Sequence, residues 1–294
     1  MGIGRKVLIT GASGQVGSAL VRSAPPRTEL RAPSRGEFDI GDAAAVRAAV
    51  ADFQPQLIIN AAAYTAVDKA ESEPDLADAI NAQAPRHMAE AASAIPGCRM
   101  LQLSTDYVFN GCAAAPYLPS DPTDPLSVYG RTKLAGELTV LGVLAERAVV
   151  LRTAWVYAAQ GKNFLLTMLR LMRERGEVRV VADQKGTPTT AASIARALWR
   201  IAELTGVHGI LHWTDDGIAS WYQFACAIAE DARAAGLLSR PVTVTPITTA
   251  EYPTAAHRPA NSALDTRGTV EQLGITPPQW RQSLRTTLAQ LPRG

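Results

Sequence analysis

Three residues in the middle of the chain have the types and the spacing needed for proton transfer. Tyr129 and Lys133 are four positions apart, so a helix that begins near Val128 would place the phenol and the ammonium group on one face. A nearby cation favours the phenolate and lowers the pKa of a tyrosine from its usual value of about 10. Thr105, at the end of a predicted strand, would give a second hydrogen bond to the same oxygen. We therefore expect Tyr129 to exchange a proton with a substrate.

A glycine-rich turn near the start of the chain has the form of a nucleotide-binding turn. The apolar run 6–10 predicts a strand buried on both faces, and 18–21 continue as a helix. Gly11, Gly14 and Gly17 lie three apart, a spacing that differs from the Gly-x-Gly-x-x-Gly pattern. Such glycines let the backbone approach a pyrophosphate, whose charge is stabilised by the free N–H groups at the helix start. The turn therefore predicts a dinucleotide site.

The elements that must position these residues alternate through the first half of the chain. Strands are predicted at 29–32, 56–60, 99–104 and 148–152, and helices at 43–53, at 75–95 with a bend near Pro85, and at 128–145. Strands that alternate with helices pair in parallel through right-handed crossovers, which gives an open sheet with helices on both faces. Ligands bind at the carboxyl edge of such a sheet, where Thr10, Asn60 and Thr105 would emerge.

The rest of the chain predicts a second, smaller domain. Helices are expected at 164–175, 191–205, 221–235 and 279–291, and strands at 178–181 and 209–213. The pattern becomes irregular after the helix 221–235, with Pro241, Pro246, Pro253 and Pro259. We expect an α/β protein with a doubly wound parallel sheet. Residues 1–156 and about 183–213 would form the dinucleotide-binding Rossmann domain, and about 157–182 with 214–294 a discontinuous α/β substrate domain.

Composition and charge exclude several classes of protein. The 294 residues are 47% hydrophobic with a formal net charge of +2, which suits a globular protein and predicts neither nucleic-acid nor membrane-surface binding. No apolar run approaches the roughly 18 residues of a membrane span, and no signal peptide is expected. The three cysteines and four histidines are too dispersed for a disulfide framework or a metal cluster. We therefore expect a cytoplasmic protein without a metal site.

Five blocks of sequence, in order, resemble the dTDP-4-dehydrorhamnose reductases, a family within the extended short-chain dehydrogenases/reductases. The resemblance runs over nearly the whole chain. The blocks are 60–71 (NAAAYTAVDKAE), 104–109 (STDYVF), 128–137 (VYGRTKLAGE), 153–157 (TAWVY) and Arg258-Pro259 with Asn261-Ser262. It implies reduction of the C4 ketone of dTDP-4-dehydro-β-L-rhamnose to dTDP-β-L-rhamnose, the last step in making this donor for cell-surface polysaccharide.

The resemblance also implies how the reduction proceeds. A nicotinamide would deliver hydride to the carbonyl carbon while Tyr129 gives a proton to the developing alkoxide. Lys133 would lower the pKa of Tyr129 and hydrogen-bond the nicotinamide ribose, and Thr105 would hold the substrate oxygen. These roles agree with the proton chemistry expected from the residues themselves, because donors already in place around one oxygen stabilise the transition state more than the ground state.

Further residues of the site follow from the resemblance. Those implied to bind the cofactor lie in the glycine turn and after the second and third strands, and they are Gly11, Gly14, Gln15, Val16, Gly17, Asp39, Ile40, Ala63, Tyr64 and Thr65, with Tyr129 and Lys133. Those implied to bind the substrate are Thr105, Asp106, Trp155, Asn163 and Arg258. The guanidinium group of Arg258 would suit a diphosphate.

Two departures from the family pattern change what is expected. An acidic residue after the second strand would bind the 2′-hydroxyl of NADH, but the chain has Pro-Ser-Arg at 33–35. Arg35 would accept a 2′-phosphate, so NADPH is the expected cofactor and NADH the alternative. Some family members form dimers bridged by magnesium on glutamates, where this chain has Ala19, Ser193 and a C-terminus (291–294) without a carboxylate side chain. We expect no Mg²⁺ bridge, and a monomer or a homodimer held differently.

Two other functions stay open on the sequence. A nucleotide-sugar 4,6-dehydratase or epimerase shares the glycine turn and the Tyr/Lys pair, but a dehydratase usually has Asp-Glu after the threonine, where this chain has Asp106-Tyr107. An epimerase keeps its nucleotide bound, whereas a reductase releases it. A non-catalytic subunit, like the relatives that regulate a methionine adenosyltransferase, would turn over no sugar. The intact Thr105, Tyr129 and Lys133 favour an enzyme.

Overall fold

Strands and helices alternate along the chain, and the computed structural model describes residues 5–292 of it. The first half contains β1 (Arg5–Thr10), α1 (Gln15–Arg22), β2 (Thr28–Arg31), α2 (Ala43–Phe53), β3 (Leu57–Asn60), α3 (Val67–Ala70), α4 (Pro74–Asp78), α5 (Ala84–Ser93), β4 (Arg99–Thr105), α6 (Val128–Leu144) and β5 (Ala148–Thr153). The second half contains β6 (Val156–Tyr157), α7 (Phe164–Arg175), β7 (Glu177–Val181), β8 (Lys185–Gly186), β9 (Thr189–Thr190), α8 (Ala191–Glu203), β10 (Gly209–His212), β11 (Ala219–Ser220), α9 (Trp221–Ala234), β12 (Thr243–Ile247), α10 (Arg267–Leu273) and α11 (Trp280–Leu288). Within these residues, no helix combines the length and the apolar character needed to cross a membrane.

Six strands pair in parallel to form the central sheet, in the order β2-β1-β3-β4-β5-β10. Most of their residues are aliphatic and buried, as expected for a parallel sheet between two layers of helices. The chain leaves β1 toward β2 and returns on the other side to β3, so a crevice opens between the carboxyl ends of β1 and β3. The predicted α/β fold with a doubly wound Rossmann sheet is confirmed.

Helices cover both faces of this sheet. On one face α1 and α8 pack through side chains such as Leu20 and Ile194. On the other face α2, α5 and α6 pack through Val46, Met88 and Val140. Each large apolar side chain buried in this way stabilises the fold by about 1.5–3 kcal/mol. The two layers therefore hold the carboxyl edge of the sheet in a fixed shape.

Buried polar side chains join neighbouring strands at the carboxyl edge. Thr10 Oγ1 donates to Asn60 Oδ1 at 2.6 Å, and Asn60 Nδ2 donates to Gln102 Oε1 at 2.8 Å. Because an unpaired buried polar group costs about 1–3 kcal/mol, these pairs favour one lateral arrangement of β1, β3 and β4. The strand ends that the sequence predicted to meet do so here.

The helix predicted at 75–95 is divided. A π-helical stretch, Ala79–Gln83, separates α4 from α5, and Pro85 lies in the first turn of α5. The irregularity therefore precedes Pro85. Its surroundings show a close approach of two backbones, because a Cβ on Gly136 of α6 would lie 2.2 Å from the carbonyl oxygen of Asn81.

A separate hydrophobic cluster lies outside the central sheet. It is built by α7, β7, α9 and α11, with Leu165, Phe224 and Leu284 fully buried. β7 pairs in parallel with β12, which was not predicted because Pro246 interrupts its pattern. In this two-stranded sheet both strands are edges, where a proline is tolerated. The cluster uses segments that we assign to the substrate domain, and the domain boundaries stay a prediction.

Candidate active site

A cleft of about 750 Å³ opens at the carboxyl edge of the central sheet. Most of the residues proposed from the sequence line it: Gly11, Gly14, Gln15, Val16, Arg35, Asp39, Ile40, Ala63, Tyr64, Thr65, Thr105, Asp106, Tyr129, Lys133 and Trp155. Gly17, Asn163 and Arg258 lie outside its lining. The structure therefore brings the expected dinucleotide residues and the expected catalytic residues onto one continuous surface.

Backbone contacts explain the glycines of the turn. Gly11 has φ +71°, and a Cβ there would lie 2.6 Å from the nitrogen of Ala62. A Cβ on Gly17 would lie 2.1 Å from the carbonyl oxygen of Gly11, so Gly17 lets α1 pack on the turn and does not face a ligand. Gly14 is the N-cap of α1 and has no side chain to occupy the helix N–H groups. These donors are available to an anion in the cleft.

The start of α6, which carries Tyr129, is held by two side chains. Ser127 is the N-cap, and its Oγ accepts a hydrogen bond from Gly130 N at 3.1 Å. Glu71 Oε1 accepts a hydrogen bond from Val128 N at 2.8 Å. Glu71 lies in one of the blocks that resemble the family, but no pattern in the sequence connects it with α6. The two bonds fix the position from which the Tyr129 side chain enters the cleft.

Burial sets the proton affinities of Tyr129 and Lys133. It raises the pKa of Tyr129 to about 12, although a hydrogen bond with Thr105 opposes the rise. Burial also lowers the pKa of Lys133 to about 8, against the charge of Glu137. The expected lowering of the Tyr129 pKa is therefore wrong in this structure, where Lys133 Nζ donates to Leu103 O at 2.7 Å. Tyr129 stays protonated at neutral pH, which is the form that a proton donor needs.

Glu137 forms a buried ion pair on α6, one turn after Lys133. Arg152 Nη2 lies 2.7 Å from Glu137 Oε2, and Arg152 Nε donates to both carboxylate oxygens at 3.1 Å. The two side chains are only 2% and 1% exposed. Either charge would be costly to leave buried without the other. The pair therefore connects α6 to β5 one turn after Lys133.

Asp106 lines the cleft, and its carboxylate is buried. Its Oδ1 accepts a hydrogen bond from Thr105 Oγ1 at 3.0 Å, whereas Oδ2 has no hydrogen-bond partner within residues 5–292. Burial raises the pKa of this carboxyl to about 6, although hydrogen bonding with Ser262 and Thr105 opposes the rise. Because Oδ2 is closed off from solvent and Ser262 lies beside the carboxyl, a ligand hydroxyl group would reach this oxygen only if the surrounding side chains moved. The substrate contact at Asp106 stays a prediction.

Trp155 forms one wall of the cleft in an unusual backbone conformation. Its φ is +46°, which is rare for a bulky residue. One face of its indole stacks on Trp221, with ring centroids 3.5 Å apart and planes 4° apart. Gly186 also lies close to the indole, because a Cβ there would lie 2.5 Å from the ring. The indole is therefore closely packed by both residues, and its place in the lining is compatible with substrate contact.

The structure gives Asn163 and Arg258 positions that differ from those expected. Asn163 is the N-cap of α7, accepting from Leu166 N at 3.0 Å, and its Nδ2 donates to Gln15 Oε1 at 2.9 Å. It fastens the loop before α7 to the glycine turn. Arg258 pairs with Asp68 through Nη2 and Oδ2 at 2.7 Å. Neither side chain lines the cleft, so their predicted substrate contacts lack support here.

Several residues of the lining were not singled out from the sequence, among them Trp221 and Lys162. Trp221 begins α9 directly after Ser220, which forms a capping box with Gln223. This Ser-x-x-Gln pattern predicts a helix start but says nothing of a cleft. Lys162 follows Gly161, whose φ is +81°, and adds a cation to the wall. Its place near the glycine turn depends on tertiary folding, which no local pattern reveals.

The positions that would carry a magnesium bridge are occupied by packing residues. Ala19 is buried in α1, and Ser193 Oγ in α8 accepts a hydrogen bond from Trp213 Nε1 at 3.0 Å. Neither supplies the carboxylate oxygens that Mg²⁺ prefers. Across the described part of the chain, no group of three or more His, Cys, Asp or Glu side chains is arranged to hold a metal. The C-terminal residues 293–294 lie outside the described range, and the absence of a bridge stays a prediction.

Comparison with known proteins places this cleft in a family. The family described as RmlD substrate binding domain matches residues 5–293. The dTDP-4-dehydrorhamnose reductase of Burkholderia thailandensis is 42% identical over 289 residues, covering 95% of this chain and 96% of that protein. The reductase of the same name from Escherichia coli K12 is 40% identical over 293 residues, covering 97% of each.

A solved structure agrees over the same length. The crystal structure of dTDP-4-dehydrorhamnose reductase from Bacillus anthracis in complex with NADP has a TM-score of 0.90 and 34% identity. It covers 97% of this chain and 98% of that one. Sequence and fold thus agree from end to end, and the resemblance first seen in five blocks is confirmed. The chain belongs to the dTDP-4-dehydrorhamnose reductase family.

Proposed function

We propose that the protein reduces the C4 ketone of dTDP-4-dehydro-β-L-rhamnose to dTDP-β-L-rhamnose with NADPH. The observation that carries this proposal is the convergence of Thr105, Tyr129 and Lys133 in a cleft that also contains the glycine turn. The names of the relatives and the NADP in the Bacillus anthracis structure support it. The product would serve as a rhamnose donor for cell-surface polysaccharide.

The residues present fit a dinucleotide. The uncapped start of α1 offers N–H donors for the pyrophosphate, and the cleft continues past Ala63, Tyr64 and Thr65 to Tyr129. Arg35 lies at the opposite end with Asp39 and Ile40, where an adenosine 2′-phosphate would meet its guanidinium group. Bound NADPH would supply hydride to the C4 carbonyl carbon.

Side chains of the protein supply the proton to the C4 oxygen and stabilise the charge that develops there. Tyr129, protonated at neutral pH, gives its phenol proton to the C4 oxygen as charge develops there. Thr105 holds the same oxygen, and the Lys133 ammonium one turn away stabilises the phenolate that remains. The Asp106 carboxylate, which lines the cleft, would accept a hydroxyl group of the sugar and so orient the ring toward these residues.

The direct test is an assay with purified protein, the 4-keto nucleotide sugar and each reduced cofactor. Loss of the nicotinamide absorbance, with release of oxidised cofactor and formation of the rhamnosyl product, is expected with NADPH. Cofactor that stays bound and is not consumed would favour an epimerase. Absence of turnover with both cofactors would favour a binding subunit. A 4,6-dehydratase is disfavoured because Tyr107 stands where elimination needs a glutamate.

We expect kcat/KM to follow a bell-shaped pH profile. The ammonium form of Lys133, with a pKa of about 8, is lost as pH rises through that value. The carboxylate form of Asp106, with a pKa of about 6, is lost as pH falls through that value. Tyr129, with a pKa of about 12, stays protonated throughout. Initial rates across overlapping buffers measure both limbs. Asp106→Asn is expected to abolish the acid limb only, and an acid limb that persists in this variant contradicts the assignment.

Arg35→Ala is expected to weaken NADPH binding about tenfold and to leave NADH binding unchanged. A guanidinium group that meets the 2′-phosphate makes a charge-assisted hydrogen bond, whose partly exposed position limits its strength. Titration of the nicotinamide fluorescence gives both dissociation constants. Arg31→Ala is the matched control, because Arg31 pairs with Asp52 at 2.9 Å and lies outside the lining. Equal losses for the two cofactors would show that Arg35 does not read the phosphate.

We also propose a location and an assembly state. The three cysteines are free, which fits the reducing cytoplasm. The net charge of +2 does not indicate that nucleic acid or a membrane surface is a partner. With Ala19 and Ser193 at the positions discussed above, the protein would be a monomer or a homodimer without a metal bridge. Sedimentation with and without a chelator would test this.

A further inference from the structure

The segment 158–163, which we name the clasp, connects β6 to α7 and contacts the start of α1. Asn163 Nδ2 donates to Gln15 Oε1 at 2.9 Å, and Gln160 Nε2 donates to Ser18 Oγ at 2.7 Å. Gln15 and Ser18 are the first and fourth residues of α1. The clasp is therefore bound to the helical turn whose free N–H groups are available to an anion.

Contacts within the clasp and across to α1 fix the backbone at Lys162. Asn163 Nδ2 also donates to Ala158 O at 2.9 Å, which closes the segment into a loop. Gly161 has φ +81°, a conformation that favours glycine. A Cβ on Gly161 would lie 3.2 Å from Gln15 Cγ, so the backbone there lies close to the glutamine side chain. Lys162 thus lies between two residues that are both held against Gln15.

The ammonium group of Lys162 is not engaged in an ion pair. Lys162 lines the cleft together with Gly14, Gln15 and Val16, and it is exposed. Within residues 5–292, no carboxylate lies within 4.0 Å of this ammonium group. A lysine carries its charge on a flexible four-carbon stem, so the charge can move to an anion in the cleft without breaking an ion pair.

The distribution of charge along the cleft indicates which anion this is. Within residues 5–292 the lining includes three cationic side chains, each on a different element. Arg35 follows β2, where the 2′-phosphate is expected, and Lys133 lies on α6 with Tyr129. Lys162 is held beside the glycine turn. A diphosphate carries two negative charges, whereas the start of a helix offers only about half a positive charge. A further cation at this turn is therefore favourable.

We propose that Lys162 binds the diphosphate of the cofactor, and that the clasp holds it in place for this contact. The hydrogen bonds to Gln15 and Ser18 favour the cofactor over the sugar nucleotide as the source of the diphosphate, because α1 begins at the glycine turn. Gln15 is then also a positioning residue, since its side chain anchors the clasp. This inference rests on the proposed use of NADPH and adds a contact that NADPH and NADH share.

Lys162→Met and Lys162→Arg test the inference by titration of nicotinamide fluorescence. Loss of the ammonium group is expected to weaken binding of NADPH and of NADH about fivefold each, the strength of a good contact between exposed charges. Lys162→Arg keeps the charge and is expected to restore most of the affinity. At about 1 M salt, the parent and Lys162→Met are expected to bind NADPH equally, because ions screen the contact. Equal affinities at low salt overturn the inference.

The affinity for dTDP, measured by calorimetry, separates the two sources of a diphosphate. Lys162→Met is expected to bind dTDP as tightly as the parent does. A fall in dTDP affinity would assign Lys162 to the diphosphate of the sugar nucleotide and would overturn the inference. Lys185→Met is the matched control, because Lys185 is an exposed lysine outside the cleft lining, and it is expected to leave all three affinities unchanged.

Gln15→Met tests the role of the clasp, because methionine keeps the length of the side chain and removes the acceptor for Asn163. It is expected to weaken NADPH binding no more than Lys162→Met does. The double variant is expected to bind as Lys162→Met alone, since the clasp acts through the lysine. Losses that add in the double variant would contradict this role.

The binding measurements also keep this inference separate from the proposed activity. If the parent protein binds NADPH but reduces no sugar, the proposed function fails, and the affinities of the variants still decide the role of Lys162. If the parent binds neither reduced cofactor, both proposals fail.

Discussion

Replacing Tyr129 with phenylalanine is expected to lower kcat by a factor of about 10²–10⁴, the range that a positioned general acid contributes. The change removes only the hydroxyl group, so the ring still packs against Tyr107. Hydride transfer would then leave charge on the C4 oxygen with no proton to neutralise it. The measurement is kcat with saturating NADPH and 4-keto sugar nucleotide.

Two controls separate lost chemistry from lost structure. The NADPH dissociation constant of Tyr129→Phe is expected to change far less than kcat, because the phenol would be only one of many cofactor contacts along the cleft. Tyr252→Phe, at a tyrosine that is 59% exposed, is expected to leave kcat unaltered. A Tyr129→Phe protein with the parent rate would remove Tyr129 as the acid and leave the proton donor to another group.

Replacing Arg152 with methionine is expected to cost about 3–5 kcal/mol of unfolding free energy, the typical price of leaving one buried charge unpaired. Glu137 would stay buried without the guanidinium group that now contacts both of its oxygens. Methionine keeps most of the volume, so the loss reports the charge more than a cavity. Urea unfolding, followed by circular dichroism, gives the free energy and the midpoint.

The double variant Arg152→Met with Glu137→Leu is the informative control. With both charges removed, no ion is left without a partner, so stability is expected to recover to within about 1–2 kcal/mol of the parent. Activity is not expected to recover in full, since Glu137 also raises the pKa of Lys133. A double variant as unstable as Arg152→Met alone would show that the side chains matter for packing and not for charge.

Local sequence patterns were enough to predict the central sheet and the positions of Thr105, Tyr129 and Lys133, because each of these patterns is compatible with only one type of structure. The aliphatic run before Gly11 could only be a buried strand, and the regular alternation of strands and helices led to a parallel sheet. The spacing of Tyr129 and Lys133 set them on one face of α6, and the sheet edge brought Thr105 to them. The cleft lining includes all three.

What the sequence could not give were contacts between distant segments. Arg258 looked unpaired until the fold placed Asp68 beside it, 190 positions away. Asn163 looked like a ligand contact, whereas the loop geometry made it a helix cap. The pKa of Tyr129 was expected to fall because Lys133 is visible in the sequence four positions away. Burial of Tyr129, which depends on the whole fold, has the larger effect and raises the pKa.

The close packing around Trp155 restricts which substitutions the protein can tolerate nearby. A bulky residue at φ +46° holds about 1–3 kcal/mol of backbone strain, which the stack with Trp221 offsets. Any side chain at Gly186 would enter the space of the indole. The effect of a substitution at Trp155, Gly186 or Trp221 therefore depends on the residues at the other two positions. We expect homologues that lack one of these three residues to differ at the other two as well.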